Sequence, residues 1–206
     1  MKNMIKDAAV LLVITLIAGF VLGFVYKITK DPIEKSKEKA KLEAFNEVFS
    51  GASDYKDLEM SFPKSNADIQ LFEEKGFGSV TIDGVYEATS ADGVALGYVL
   101  NVTTSAGYGG NISFAMGMNM DGTINGISIL EISETAGLGM RAEEVLKPQY
   151  ANKKVSAFSV TKEGATVDNQ IDAISGATIT SNALTTAVNG GIYYFNSQLG
   201  GGNNEG

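Results

Sequence analysis

Asp172-Ala-Ile-Ser-Gly-Ala-Thr178 is the stretch on which the reading of this chain turns. An apolar-periodic segment follows from about Thr180 to Phe195, with Leu184, Val188, Gly191 and Phe195 on one face, and it predicts a terminal helix. Thr178 then offers its hydroxyl at the mouth of that helix. Helix starts leave several backbone N–H groups unpaired and carry a partial positive charge, so a phosphate held there is stabilised by both. Gly176 and Ala177 add almost no bulk beside the hydroxyl. The same letters also fit a plain turn at Ser175-Gly176 followed by a helix that Thr178 or Thr180 caps. A shorter echo, Glu163-Gly-Ala-Thr166, lacks the leading Asp and Ser.

Upstream of the motif, Val155 to Val160 reads as a strand. Two earlier runs alternate apolar with smaller or polar residues: Val94, Leu96, Tyr98, Leu100 and Val102, then Ile112, Phe114, Met116, Met118 and Met120. Both fit half-buried antiparallel strands, with the methionines as core filler. Ala91-Asp92-Gly93 and Asp121-Gly122 supply turns, the second joining the Met-rich strand to residues 123–131 as a hairpin. Two glycine-bearing loops stand beside these strands. Ser105-Ala-Gly-Tyr-Gly-Gly110 lies between consecutive strands, and Glu134-Thr-Ala-Gly-Leu-Gly139 leads into a short helical stretch, Arg141 to Leu146, stopped before Pro148. Either loop can bring backbone N–H groups up to a phosphate or a ring carbonyl. Neither matches a Rossmann fingerprint or a P-loop. Within the terminal helix Gly190-Gly191 costs about 1 kcal/mol each relative to Ala, which predicts close packing against the sheet in compensation.

From Ala8 to Tyr26 the sequence AAVLLVITLIAGFVLGFVY carries no charge. At roughly 1.5 Å per helical residue it spans about 28 Å, close to the hydrocarbon thickness of a bilayer. A cleaved signal peptide has a similar start and middle, but Lys27-Ile-Thr-Lys30 offers no small-x-small cleavage site, so an uncleaved single-pass anchor over 1–30 is expected. Lysines flank both ends and leave the orientation undecided by charge. Thr15, Gly19 and Gly23 form a small-xxx-small line suited to a neighbouring helix. Asp31-Pro32 reads as an N-cap followed by proline at the first helical position, opening an amphipathic connecting helix over 31–50 with Leu42, Phe45, Val48 and Phe49 on one side. Gly51 ends it. The region to Gly78 is mixed, broken by Pro63, with a short helix near Ala67 to Glu74. Residues 51–199 then form the folded domain and 200–206 a flexible tail.

The 206 residues include no Cys and no His. That removes Cys/His zinc sites, thiolate-held iron–sulfur clusters, haem attachment through Cys-x-x-Cys-His and every imidazole base. No metal site and no catalytic residue is expected, and any redox chemistry must come from an organic cofactor. Lys2, Lys6, Lys27 and Lys30 against Asp7 leave residues 1–30 at +3; by subtraction from the whole-chain −8, the remainder carries −11. So acidic a body repels nucleic-acid phosphate, and no nucleic-acid partner is expected.

The pattern Asp-x-x-Ser/Thr-Gly-Ala-Thr resembles the flavinylation motif of the FMN-binding domain family. By that resemblance Thr178 is a covalent FMN phosphoryl threonine, installed by a separate flavin transferase that takes FMN from FAD with a divalent cation. The whole arrangement of single anchor, GYGG loop, ETAGLG loop and SGAT motif resembles the G subunit of the Rnf complex, the membrane-bound ferredoxin:NAD oxidoreductase that couples electron flow to ion transport. The C subunit of the sodium-translocating NADH:quinone oxidoreductase shares the motif. Relatives often show His and Pro where this chain has Ile132 and Ala136. The resemblance implies an α+β fold, with a mainly antiparallel sheet flanked by helices and carried outside the cytoplasm on one transmembrane helix. It implies an electron-carrier subunit with covalent FMN, whose contacts are drawn from Tyr108, Gly109, Gly110, Glu134, Thr135, Gly137, Leu138, Gly139, Asp172, Ser175, Gly176, Ala177 and Thr178. The implied partners are other Rnf subunits, the flavin transferase and the lipid bilayer of the cell membrane. A cofactor-free assembly subunit and a stand-alone flavin reductase are the alternative readings; the second needs a hydride-donor site, for which no residue stands out.

Overall fold

Residues 2–200 are described by the structure, a computed structural model. Of the expected tail, all but Gly200 lies outside the described residues. The chain divides between Lys41 and Leu42 into two compact units.

Helix α1 (Lys2–Val48) runs without a break through Asp31-Pro32, where the sequence predicts a fresh start. An interior proline has no N–H for the carbonyl four residues back, here Ile28, and costs about 3 kcal/mol. The Lys-, Glu- and Ala-rich stretch that follows is a strong helix former and carries the helix across this defect. Part of α1 has a mean hydropathy of 2.8 with none of it buried, long and apolar enough to cross a membrane.

In the second unit β1 (Asp54–Asp57), β2 (Val80–Thr89), β3 (Ala95–Thr104), β4 (Ile112–Asn119) and β5 (Ile124–Ile132) form one antiparallel sheet in chain order. Helix α2 (Asn66–Glu74) opens with a capping box: the Asp68 N–H donates to the Ser65 hydroxyl, and the Asp68 carboxylate accepts from the Ser65 N–H. After β5 come α3 (Ala142–Val145), set between two 3-10 turns, and a separate parallel pair, β6 (Ser159–Thr161) with β7 (Gln170–Asp172). Only the end of the strand expected over 155–160 is therefore extended. Pro148 lies inside the second 3-10 turn, Lys147–Tyr150, rather than beyond the helical stretch. Helix α4 (Thr178–Gln198) closes the domain. This is the α+β architecture expected, with helices on both faces of an antiparallel sheet.

Leu100, Val102, Phe114 and Met116 point from the sheet to α4, whose Leu184, Val188, Gly191 and Phe195 are all buried as predicted. The glycine pair allows the approach. A methyl on Gly190 would lie 3.0 Å from Val80, and one on Gly191 2.8 Å from the Met116 sulfur. The opposite face is covered too, by Phe45, Val48 and Phe49 of the α1 end against Ala88, Val99 and Ala115. β3 and β4 are consequently buried on both sides, not half-buried. Val94 and Met120, read as strand positions, fall outside β3 and β4 and are exposed. Leu42, read as part of the apolar side, is 52% exposed, and Ala44 is buried instead.

A charged link holds the α1 end in place. The Glu47 carboxylate accepts from the Ser128 hydroxyl of β5 at 2.5 Å and pairs with Lys147 at 2.6 Å, and Lys147 also binds Glu143. Burial pushes Glu47 up, yet the hydrogen bonds from Lys147 and Ser128 outweigh it and hold the carboxyl below its ordinary range. Burial pushes Lys147 down, and its two carboxylate partners more than reverse that, leaving its pKa raised.

Candidate functional site

At the start of α4 the backbone N–H of Ser181 is the first with an intrahelical acceptor, the Ala177 carbonyl at 3.0 Å. Those of Thr178, Ile179 and Thr180 come earlier and have none within the helix. The N-cap is Ala177, which has no side chain able to cap. Neither Thr178 nor Thr180 takes that position, so the plain capped-helix reading does not describe this start. Among the described residues the Thr178 hydroxyl takes part in no hydrogen bond.

Residues of this helix start line a cleft of about 480 Å³, formed by Tyr108, Glu134, Thr135, Leu138, Gly139, Gly176, Ala177, Thr178, Ile179 and Thr180. Its volume falls in the range usual for small-molecule sites, about 300–1,000 Å³. Both glycine loops and the motif thus meet at one place. The Glu134 carboxylate ties the loops together: it accepts from the Tyr108 N–H at 2.8 Å and the Gly109 N–H at 3.2 Å. Tyr108 is left 71% exposed and Leu138 40% exposed at the rim. The second loop touches the helix start so closely that a methyl on Gly139 would lie 2.7 Å from the Thr180 hydroxyl. Across from it, Gly176 has φ +78°, a left-handed conformation that L side chains rarely adopt, in the turn closed by the Ala177 N–H on the Ile174 carbonyl at 3.0 Å.

Other expected site residues do not line the cleft. Asp172 faces the other way, accepting from the Ala165 N–H at 2.5 Å, while its backbone exchanges hydrogen bonds with Gln149 at 2.7 and 3.1 Å. Ser175 is exposed on the turn, and Gly109, Gly110 and Gly137 belong to the two loops but not to the lining. Sequence reasoning missed Ile179 and Thr180. Ile179 carried a signal, since it is a large apolar residue 54% exposed and off the core face of α4. Ser181, also missed, is wholly buried; its hydroxyl accepts from the Ile174 N–H at 3.0 Å and donates to the Ala177 carbonyl at 2.9 Å.

A larger, more open hollow of about 710 Å³ lies beside the echo sequence, lined by Pro148, Gln149, Lys153 and residues 165–168 and 170. Its chemistry is already committed. The Thr166 hydroxyl donates to Gln170 at 3.1 Å, Lys153 pairs with Asp168 at 2.7 Å, and among the described residues no α-helix begins there. The smaller cleft is the better candidate.

Loss of the Glu134 carboxylate should loosen the rim. Glu134→Ala is expected to speed hydrogen exchange at the Tyr108 and Gly109 amides by about tenfold, the worth of a charge-assisted hydrogen bond, with little change in β3. Unchanged exchange at those two amides would show that the clamp carries no weight.

Residues 107–192 match the family model of the FMN-binding domain, and residues 1–48 match that of the RnfG N-terminal region. The chain is 30% identical over 201 residues to the G subunit of the Na(+)-translocating ferredoxin:NAD(+) oxidoreductase complex of Acetobacterium woodii, covering 94% of this chain and 92% of that protein. It is 28% identical over 201 residues to the G subunit of the ion-translocating oxidoreductase complex of Methanosarcina acetivorans, covering 97% and 98%. Among solved structures, the crystal structure of Shewanella oneidensis NqrC superposes with a TM-score of 0.46 at 21% identity, covering 68% of this chain and 65% of that one.

Proposed function

The chain belongs to the family of G subunits of ion-translocating oxidoreductase complexes and carries an FMN-binding domain, and on that premise we propose that it is a membrane-anchored electron-transfer subunit of the Rnf complex with FMN esterified to Thr178. One observation carries the reading most directly: an uncommitted hydroxyl and three unpaired helix-start N–H groups share a cleft of ligand size.

The lining contains no Lys or Arg, and it does contain Glu134. A free phosphate monoester would bring nearly two negative charges into that surrounding, whereas a diester brings one. The N–H groups of Thr178, Ile179 and Thr180 would hold the phosphate, and Leu138, Tyr108 and Ile179 would supply apolar walls for the ring. Bound FMN would supply reversible one- and two-electron transfer. The chain's part is to place it, keep one side accessible to neighbouring subunits and prevent its loss. Ala8 to Tyr26 holds no charged side chain, so no residue of this span suggests an ion path.

Mass analysis of the Thr178 peptide from native membranes tests the proposal. It should carry the added mass of riboflavin phosphate, less water. An unmodified peptide would leave the cofactor-free assembly subunit as the better reading. The domain is further assigned to the outer face of the membrane. With no native cysteine, Asp92→Cys on an exposed turn should react with an impermeant maleimide added to intact cells; reaction only after lysis would reverse the orientation.

A further inference from the structure

We infer that Ser181, which lies beyond the motif, is the positioning residue that readies Thr178 for modification; the inference rests on Thr178 being the acceptor. A Ser or Thr at a helix N-cap normally commits its hydroxyl to the backbone N–H groups of the first turn. Such a hydroxyl is a poor acceptor for a second group. Here the N-cap is Ala177, and the turn leading into the helix is held from inside it, one turn on.

The Ser181 hydroxyl reaches both ends of the turn Ile174–Ala177, accepting from the Ile174 N–H at 3.0 Å and donating to the Ala177 carbonyl at 2.9 Å. The Ala177 N–H closes the same turn on the Ile174 carbonyl at 3.0 Å. Ser181 has 0% exposure, so water cannot replace it in this network. The consequence is a helix start fixed without help from Thr178, whose hydroxyl stays uncommitted and half-buried in the cleft.

In the modification the Thr178 Oγ attacks the flavin-side phosphorus of FAD. The Oγ–P bond forms, the bond from that phosphorus to the bridging oxygen breaks, AMP leaves with that oxygen, and the hydroxyl proton passes to solvent or to the transferase. No oxidation or reduction occurs. Ser181 takes no part in bond making; it sets where Oγ stands when the transferase delivers the group.

The test labels the full-length chain in detergent with a purified flavin transferase, FAD and Mg²⁺, reads initial rates by in-gel flavin fluorescence, and follows folding by circular dichroism. Wild type should label and Thr178→Ala should not; that arm alone decides the acceptor. Ser181→Ala should lower kcat for labelling by about tenfold to a hundredfold, the scale of a misplaced reacting group. KM for the chain should stay within about twofold, since the transferase still meets the same surface. Ser181→Thr retains a hydroxyl able to bond the carbonyl four residues back and should restore most of the rate. A Ser181→Ala chain that labels with wild-type kcat overturns the inference and leaves the acceptor untouched. Loss of rate in both variants in proportion to loss of folded protein also overturns it, because Ser181 would then serve stability alone.

Discussion

Thr178→Ala should abolish the flavin-fluorescent band on a denaturing gel, whereas Thr166→Ala should keep it at wild-type intensity. Both threonines end a Gly-Ala-Thr triplet, so three letters do not separate them. Their surroundings do. Thr166 sits on the loop between β6 and β7, with its N–H and hydroxyl both donated to Gln170, at 2.9 and 3.1 Å. Thr178 sits at the first position of a 21-residue helix, beside free N–H groups, with its hydroxyl uncommitted. The expected effect is all or none, because only a covalent bond survives denaturant. A band that persists in Thr178→Ala would remove the ester from this residue and, with it, the proposed role of the α4 start.

Phe45→Ala should cost about 3–5 kcal/mol, the usual penalty for emptying a buried aromatic site. Leu42→Ala, one turn earlier, should stay within about 0.5 kcal/mol, as substitutions of exposed residues usually do. Phe45 is 1% exposed, with its ring 5.2 Å from that of Tyr55 and 4.9 Å from that of Tyr86. Leu42 is 52% exposed. Urea unfolding of the full chain in detergent, followed by circular dichroism, measures both. Equal midpoints for the two variants would mean that the α1 end contributes no packing to the sheet.

That pair also shows how far the sequence can be read. Helical spacing puts Leu42 and Phe45 on one side of a helix, and the spacing is right; what it does not contain is where the sheet's surface ends. The terminal helix, the Asp121-Gly122 hairpin and the buried face of α4 were legible because period and turn chemistry agree there. β2 was not. A register shift between Ile82 and Gly84 breaks the alternation, so Ile82 and Val85, three apart, are both buried. Asp31-Pro32 carries the signature of a helix start, which the surrounding helix formers overrode. At the candidate site, seven letters pointed to the mouth of α4, and the two glycine loops stood out by their own composition; that the loops approach this helix start is a matter of the fold. Asp172 was legible as part of the pattern but not as the anchor of the neighbouring Ala165, a contact made through the fold. Ser181 was hidden by its place inside a helix, where a serine ordinarily attracts no notice.

Gly139 and Gly176 border the cleft without side chains of their own, with their neighbours already in contact. Along these stretches the width of the opening follows from main-chain path and has no rotamers to sample. The exposed side chains of Tyr108, Leu138 and Ile179 are the parts of the lining left free to follow a bound group.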